Sequence, residues 1–175
     1  MNKLLLLLLV GFTARTVGAS EEQKIQLDIK KSLIITASTN LMVKQVRGKQ
    51  GWNAAIVISD KKKISEMRII VRPAKRLETK AKLTEKMVSE ARQQLLPNAI
   101  EKEILTKEIS GKEFSLVYFR LTDARSEVGD GKYLVQGIGI SSNFVLEYLM
   151  LSKAQTAAEQ EILDCLAGCI VKRTE

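Results

Sequence analysis

Two segments of this chain are apolar on both sides of a strand, and that pattern limits the fold more than any other feature. In residues 113–122, Phe114, Leu116 and Tyr118 alternate with Val117, Phe119 and Leu121. In residues 132–152, Phe144, Leu146, Tyr148 and Met150 oppose Val145, Glu147, Leu149 and Leu151. Successive side chains of a strand point to opposite faces of its sheet. A strand apolar on both faces therefore has to be covered on both. Two helices are available as covers. Residues 84–96 repeat Met87, Val88, Ala91 and Leu95 at helical spacing, with Thr84 as the cap, Glu85 in the first turn and Pro97 as the stop. Residues 156–171 place Ala158, Ile162, Cys165, Leu166 and Cys169 on one side of the other helix.

The remaining segments read as strands joined by short turns. Ile25, Leu27 and Ile29 alternate with polar residues, and 33–37 and 41–46 are short β-rich runs. Glycines mark a turn at 47–51. Residues 52–58 and 64–71 flank a polar turn at 59–63, and Pro73 closes the second strand. Residues 100–109 alternate like a partly exposed strand. Residues 123–131 form a polar loop, and 132–152 splits into two strands near Ser141, Ser142 and Asn143. Links of hairpin length favour antiparallel pairing. The expected fold is α+β: a three-layer α/β/α sandwich on an antiparallel sheet, with one helix between hairpins and one at the C-terminus.

Residues 1–19 set an expected compartment. Lys3 precedes an unbroken apolar run at 4–10, extended by Phe12, and Val17, Gly18 and Ala19 are the small residues that an export peptidase reads. This is the layout of a signal peptide, and its apolar run is too short for a permanent membrane span. Cleavage is expected before Ser20. Residues 20–175 then form a single domain exported to a bacterial periplasm or beyond, with no transmembrane anchor. At 156 residues it can bury roughly 70% of its unfolded surface. The whole chain carries +8, and the leader holds Lys3, Arg15 and no acid, so the mature part keeps +6. Such a balance favours acidic partners.

The chain contains no histidine. Ser-His-Asp and Cys-His catalysis are excluded, and the usual catalytic zinc sites lose their main ligand. Carboxylate catalysis and Ser-Lys pairs remain, so the enzyme reading is weakened without being removed. Cys165 and Cys169 are the two thiols, four residues apart. Export permits a disulfide between them. On a regular helix, however, their Cα–Cβ bonds run parallel, and two buried thiols on the apolar stripe are the favoured state.

Candidate sites are few. Arg72, Lys75, Arg76, Lys80 and Lys82 cluster near a helix start and are the candidates for binding an anion or an acidic partner. Lys61, Lys62 and Lys63 form a second cluster, which reads as a solubilising turn. Asp123, Glu127 and Asp130 share a loop with Gly129 and Gly131 and are weak calcium candidates, because their spacing does not match an EF-hand. Gly137 and Gly139 imitate the start of a dinucleotide loop but lack its third glycine and its helix, and fit close packing in a strand better. No cofactor is expected. With 5% aromatic residues, a stacking surface for nucleic acid is not expected either.

The order of elements resembles the PsbP-like fold over residues 32–172. The features that carry it are the two-hairpin start, a middle helix ending at Leu95, Leu96 and Pro97, the strand through Phe114, Ser115, Leu116, Val117, Tyr118 and Phe119, the run Tyr133, Leu134, Val135, Gln136 and Gly137, and the closing helix. The resemblance implies a non-catalytic role through binding other proteins, and it carries over no functional residue. The leading expectation is an exported binding or accessory protein of the cell envelope that acts through a protein partner. Two alternatives stand beside it: a hydrolase-type enzyme using carboxylates or a Ser-Lys pair, and a binder of anionic envelope polymers or lipid head groups.

Overall fold

A computed structural model describes residues 20–28, 30–46, 54–127 and 130–173. The signal-peptide reading, the turn at 47–51, Trp52 and Ile29 lie outside these residues. Among the described residues, ten strands and two α-helices follow in the order β1 (Ser20–Asp28), β2 (Lys31–Ser38), β3 (Leu41–Val46), β4 (Ala54–Asp60), β5 (Ser65–Pro73), α1 (Lys80–Gln94), β6 (Lys107–Ser110), β7 (Ser115–Thr122), β8 (Tyr133–Ile140), β9 (Phe144–Ser152), α2 (Ala157–Ala167) and β10 (Ile170–Arg173). The chain is an α+β fold whose strands pair antiparallel throughout. Seven strands form a large sheet in the order β3-β4-β5-β9-β8-β7-β6, and β1-β2-β10 form a small one.

Both faces of the large sheet carry a core. On one face, Ile56, Ile58, Met67, Ile69, Leu146, Met150 and Leu116 are buried against α2 and the small sheet. On the other, Val117, Phe119, Leu121 and Ile138 are buried against Met87 and Ala91 of α1. The alternation in β7 is thus covered on both sides. Burial of a side chain such as Phe119 contributes about 1.5–3 kcal/mol. The expectation that helices alone form the covers is corrected: α2 shares its layer with β1 and β2, whose Ile25, Leu27, Leu33 and Ile35 join the same core.

Three boundaries differ from the sequence reading. First, α1 starts at Lys80 and is capped by Thr79, whose Oγ1 accepts the Lys82 N–H at 3.3 Å, so Thr84 lies inside the helix. The first turn faces solvent, and the apolar repeat that marks a helix begins only with Leu83. Second, the strand expected over 100–109 is confined to β6 at 107–110. The Glu101 carboxylate accepts both the N–H and the hydroxyl of Thr122, each at 2.8 Å. A side chain thus takes the β7 donor that a longer β6 would have paired. Third, the last helix ends at Ala167 with Gly168 as its cap, and the chain re-enters as β10 on the edge of β2. Cys169 therefore lies beyond the helix. The β-branched pair Ile170 and Val171 suits this strand better than a helix.

Gly137 has a packing role. A Cβ at this position would lie 2.3 Å from the Tyr148 ring and 2.6 Å from the Val117 carbonyl oxygen. The missing side chain is what lets Tyr148 lie flat across β8, within the main core. Gly137→Ala is therefore an overpacking change. It should cost about 1–3 kcal/mol and lower the denaturant midpoint without changing the slope. An unaltered midpoint would mean that the Tyr148 ring is not held there.

Candidate functional site

The described residues cover only half of the second face of the large sheet. The strand register places Val46, Ala55, Ile70, Glu147 and Ile138 in one row across it. The next row holds Lys44, Val57, Arg68, Leu149 and Gln136. Helix α1 packs over β7 and β8. Beyond it, Leu149 is 38% exposed, Ile70 46%, Leu151 46% and Val46 47%. The sequence expectation of full cover thus fails on β9, whose outward residues Leu149 and Leu151 stay partly exposed among the described residues. Between α1 and this open strip runs a groove of about 350 Å³. Ile70, Leu149 and Ile138 floor it from the sheet, and Leu83 and Met87 wall it from α1. Arg68, Lys86, Glu90 and Glu147 supply charges of both signs around it.

Arg72 closes one end of this strip and locks its geometry. Its Nη1 lies 2.7 Å from Glu78 and its Nε 2.8 Å from Glu147. The Glu78 hydrogen bond holds the guanidinium above its ordinary value, and the same bond draws the Glu78 carboxyl below the usual carboxylate range. Glu78 also accepts the Lys75 N–H at 2.8 Å. One arginine thereby ties β5, β9 and the lead-in to α1 together. Lys80 Nζ reaches Glu108 at 2.8 Å. Arg72 and Lys80 are thus engaged by carboxylates, while Lys75, Arg76 and Lys82 are exposed. The candidate basic cluster is a partly neutralised junction rather than a run of five unpaired cations. Glu147 is 75 residues from Arg72, and nothing local in the sequence signals their pairing.

The other candidates lie elsewhere. Asp123 is spent on its own loop: its carboxylate accepts the Arg125 N–H at 2.8 Å and the Ser126 hydroxyl at 3.0 Å, and these bonds hold it below its ordinary value. Glu127 and Asp130 are linked through the backbone, with Asp130 N–H on the Glu127 carbonyl at 3.3 Å. Among the described residues no three His, Cys, Asp or Glu come together as a metal site. Cys165 and Cys169 are free and buried, and their thiols face the Thr36 and Cys165 carbonyl oxygens. Burial pushes the Cys165 thiol up to about 12, with Glu161 adding to the effect, and raises Cys169 further. The thiolate is the reactive species, so both thiols should resist labelling at pH 8 in the native state and react fully in denaturant. Rapid native labelling followed by mass spectrometry would show that the core around α2 opens easily.

One arrangement escaped the sequence reading although a signal for it was present. Thr156 and Glu159 are spaced as a capping box at the start of α2. The Thr156 hydroxyl is buried without a hydrogen-bond partner among the described residues, and Glu159 turns away to Arg120 of β7, 2.5 Å from its Nε. Burial pushes the Glu159 carboxyl up, against the opposing pull of Arg120 and Lys107. A carboxyl raised on folding binds its proton more tightly in the native state, so its contribution to stability declines as pH rises above the unfolded value of about 4.3. Glu159→Gln should therefore gain stability relative to the parent as pH moves from 4 to 7. Denaturant titrations at both pH values check the sign.

Compared with known families, curated proteins and solved structures, the chain matches no family model, no curated protein and no solved structure.

Proposed function

We propose that this chain is a non-catalytic binding module that receives an amphipathic helix of a protein partner on the open strip beside α1. The observation that carries this reading is the half-covered sheet face. The strands β9, β5, β4 and β3 span about 14 Å at their usual spacing, and a helix with its side chains is about 10–12 Å across. A second helix packed parallel to α1 would bury Ile70, Leu149 and the groove wall formed by Leu83 and Met87. Charges of both signs at the rim suit the mixed polar flanks of a protein segment better than a lipid or a polyanion. The leader-like residues 1–19 support an exported setting, and the resemblance to PsbP-like proteins supports binding over catalysis. No helix among the described residues is long and apolar enough to cross a membrane.

A photo-crosslinking residue at Leu149, introduced in the cells that make the protein, tests the proposal. The expected product is one polypeptide joined through an amphipathic helical segment. Ile70→Glu should abolish it while shifting stability by no more than about 0.5 kcal/mol, because the site is exposed. No product above that of a control at exposed Leu77, or a product with a second copy of this chain, would overturn the reading. Glu90 and Glu147 both line the groove, which is the observation that favours the carboxylate-enzyme alternative. Under that alternative, Glu90→Gln would abolish a hydrolytic activity; under binding, it would leave the crosslink in place.

A further inference from the structure

The turn between β4 and β5 carries Lys61, Lys62 and Lys63, all exposed. Its single carboxylate, Asp60, points inward. Asp60 is buried, and its oxygens accept the Lys62 N–H at 2.9 Å and the Ser65 N–H at 2.6 Å. An acid that could have neutralised the lysines is thus used to shape the turn. Lys63 has φ +55°, a left-handed conformation that glycine or asparagine adopts at much lower cost. The turn therefore keeps a lysine where the backbone asks for another residue.

More lysines gather at this end of the sheet. The Lys153 N–H donates to the Ile64 carbonyl at 2.8 Å, and the Ser65 and Ser152 hydroxyls meet at 2.7 Å. This places Lys153 directly against the turn. Tyr133 pairs with Ser152, so Lys132, just before β8, and Lys153, just after β9, lie at the same end of the sheet. Among the described residues none of these five lysines is in an ion pair, and nearby Glu66 is engaged by Arg68. Leu151, one residue before the end of β9, is 46% exposed at this same end of the sheet.

We infer that this end of the sheet is a docking surface for an anionic lipid membrane, with the lysines on the head groups and Leu151 at the head-group boundary. Five flexible lysines with no arginine fork provide diffuse positive charge rather than recognition of one bound anion. A neighbouring exposed leucine suits the acyl boundary and gives nothing to a soluble polyanion. Each lysine near an anionic surface contributes about 1 kcal/mol.

The test is cosedimentation of the full chain with phosphatidylcholine vesicles containing one-third phosphatidylglycerol, against vesicles of phosphatidylcholine alone. The variant is Lys61→Gln, Lys62→Gln, Lys63→Asn, in which asparagine tolerates the left-handed backbone. Residues 4–10 are unchanged in it, so the difference reports the lysines. The expected result is a loss of about a hundredfold in affinity for the anionic vesicles, with the parent's binding falling steeply from 50 to 500 mM salt. The control variant Lys75→Gln, Arg76→Gln, Lys82→Gln should change binding by less than tenfold. Three outcomes would overturn the inference: no preference of the parent for anionic vesicles at 50 mM salt, equal losses in both variants, or full displacement by polyglutamate at matched charge, which would assign the surface to acidic polymers. An unchanged unfolding midpoint in the triple variant confirms that the loss is not one of folding.

Discussion

Tyr148 lies across Gly137 at the centre of the large sheet, with its ring closed in by Val117's strand, and the main core is assembled around that contact. The ring fills the space above a residue without a side chain, so β8 and β9 approach evenly, and Leu146 and Met150 on either side reach the layer of α2 and the small sheet. The hydroxyl of Tyr148 is buried without a hydrogen-bond partner among the described residues, and burial raises it far above its ordinary value. A polar group left in this state costs about 1–3 kcal/mol. Dense packing of the surrounding apolar side chains offsets that cost.

The opposite face is organised by charge as much as by packing. Helix α1 covers two strands, and its position along the sheet is set where Arg72 binds Glu78 just before the helix and Glu147 on β9. These side chains are less than one-fifth exposed on the Arg72 and Glu78 side, so the pair is screened less than a surface bridge. The same clamp that fixes α1 also fixes how much of the sheet remains open. The groove and the strip beside it are thus products of one junction, and the exposed leucines of β9 follow from where that junction puts the helix.

Much of the fold is legible in the sequence because it is written locally. The break between β8 and β9, the two-sided alternation of β7 and the hairpin of β4 and β5 each depend on neighbouring residues. The misplaced boundaries depend on contacts made at a distance. Glu101 diverts a β7 donor, so the alternation at 100–106 never becomes a strand. The apolar stripe through Cys165 and Leu166 continues to Cys169, but β2 offers an edge that draws Ile170 and Val171 out of the helix. The site is the least legible part. Whether Leu149 is buried depends on which strands α1 sits over, and whether Arg72 is available depends on Glu147, 75 residues away. A count of basic residues sees the five cations between Arg72 and Lys82 and overlooks the carboxylates that meet two of them.

The pairing of β10 with β2 also sets an order of events in folding. Ile34 meets Ile170 and Leu33 meets Val171, so this ladder joins the two ends of the described chain. The hairpins of β1–β2, β4–β5 and β8–β9 close over short loops and can form early. The β2–β10 ladder can form only after nearly all of the polypeptide is present, and closing so long a loop is slow. Until then Leu33 and Ile35 have one open edge. The large sheet needs no strand after β9, whereas the small sheet stays incomplete until the last strand arrives. During that interval the unpaired edge of β2 is the place where a second unfinished molecule could add a strand of its own.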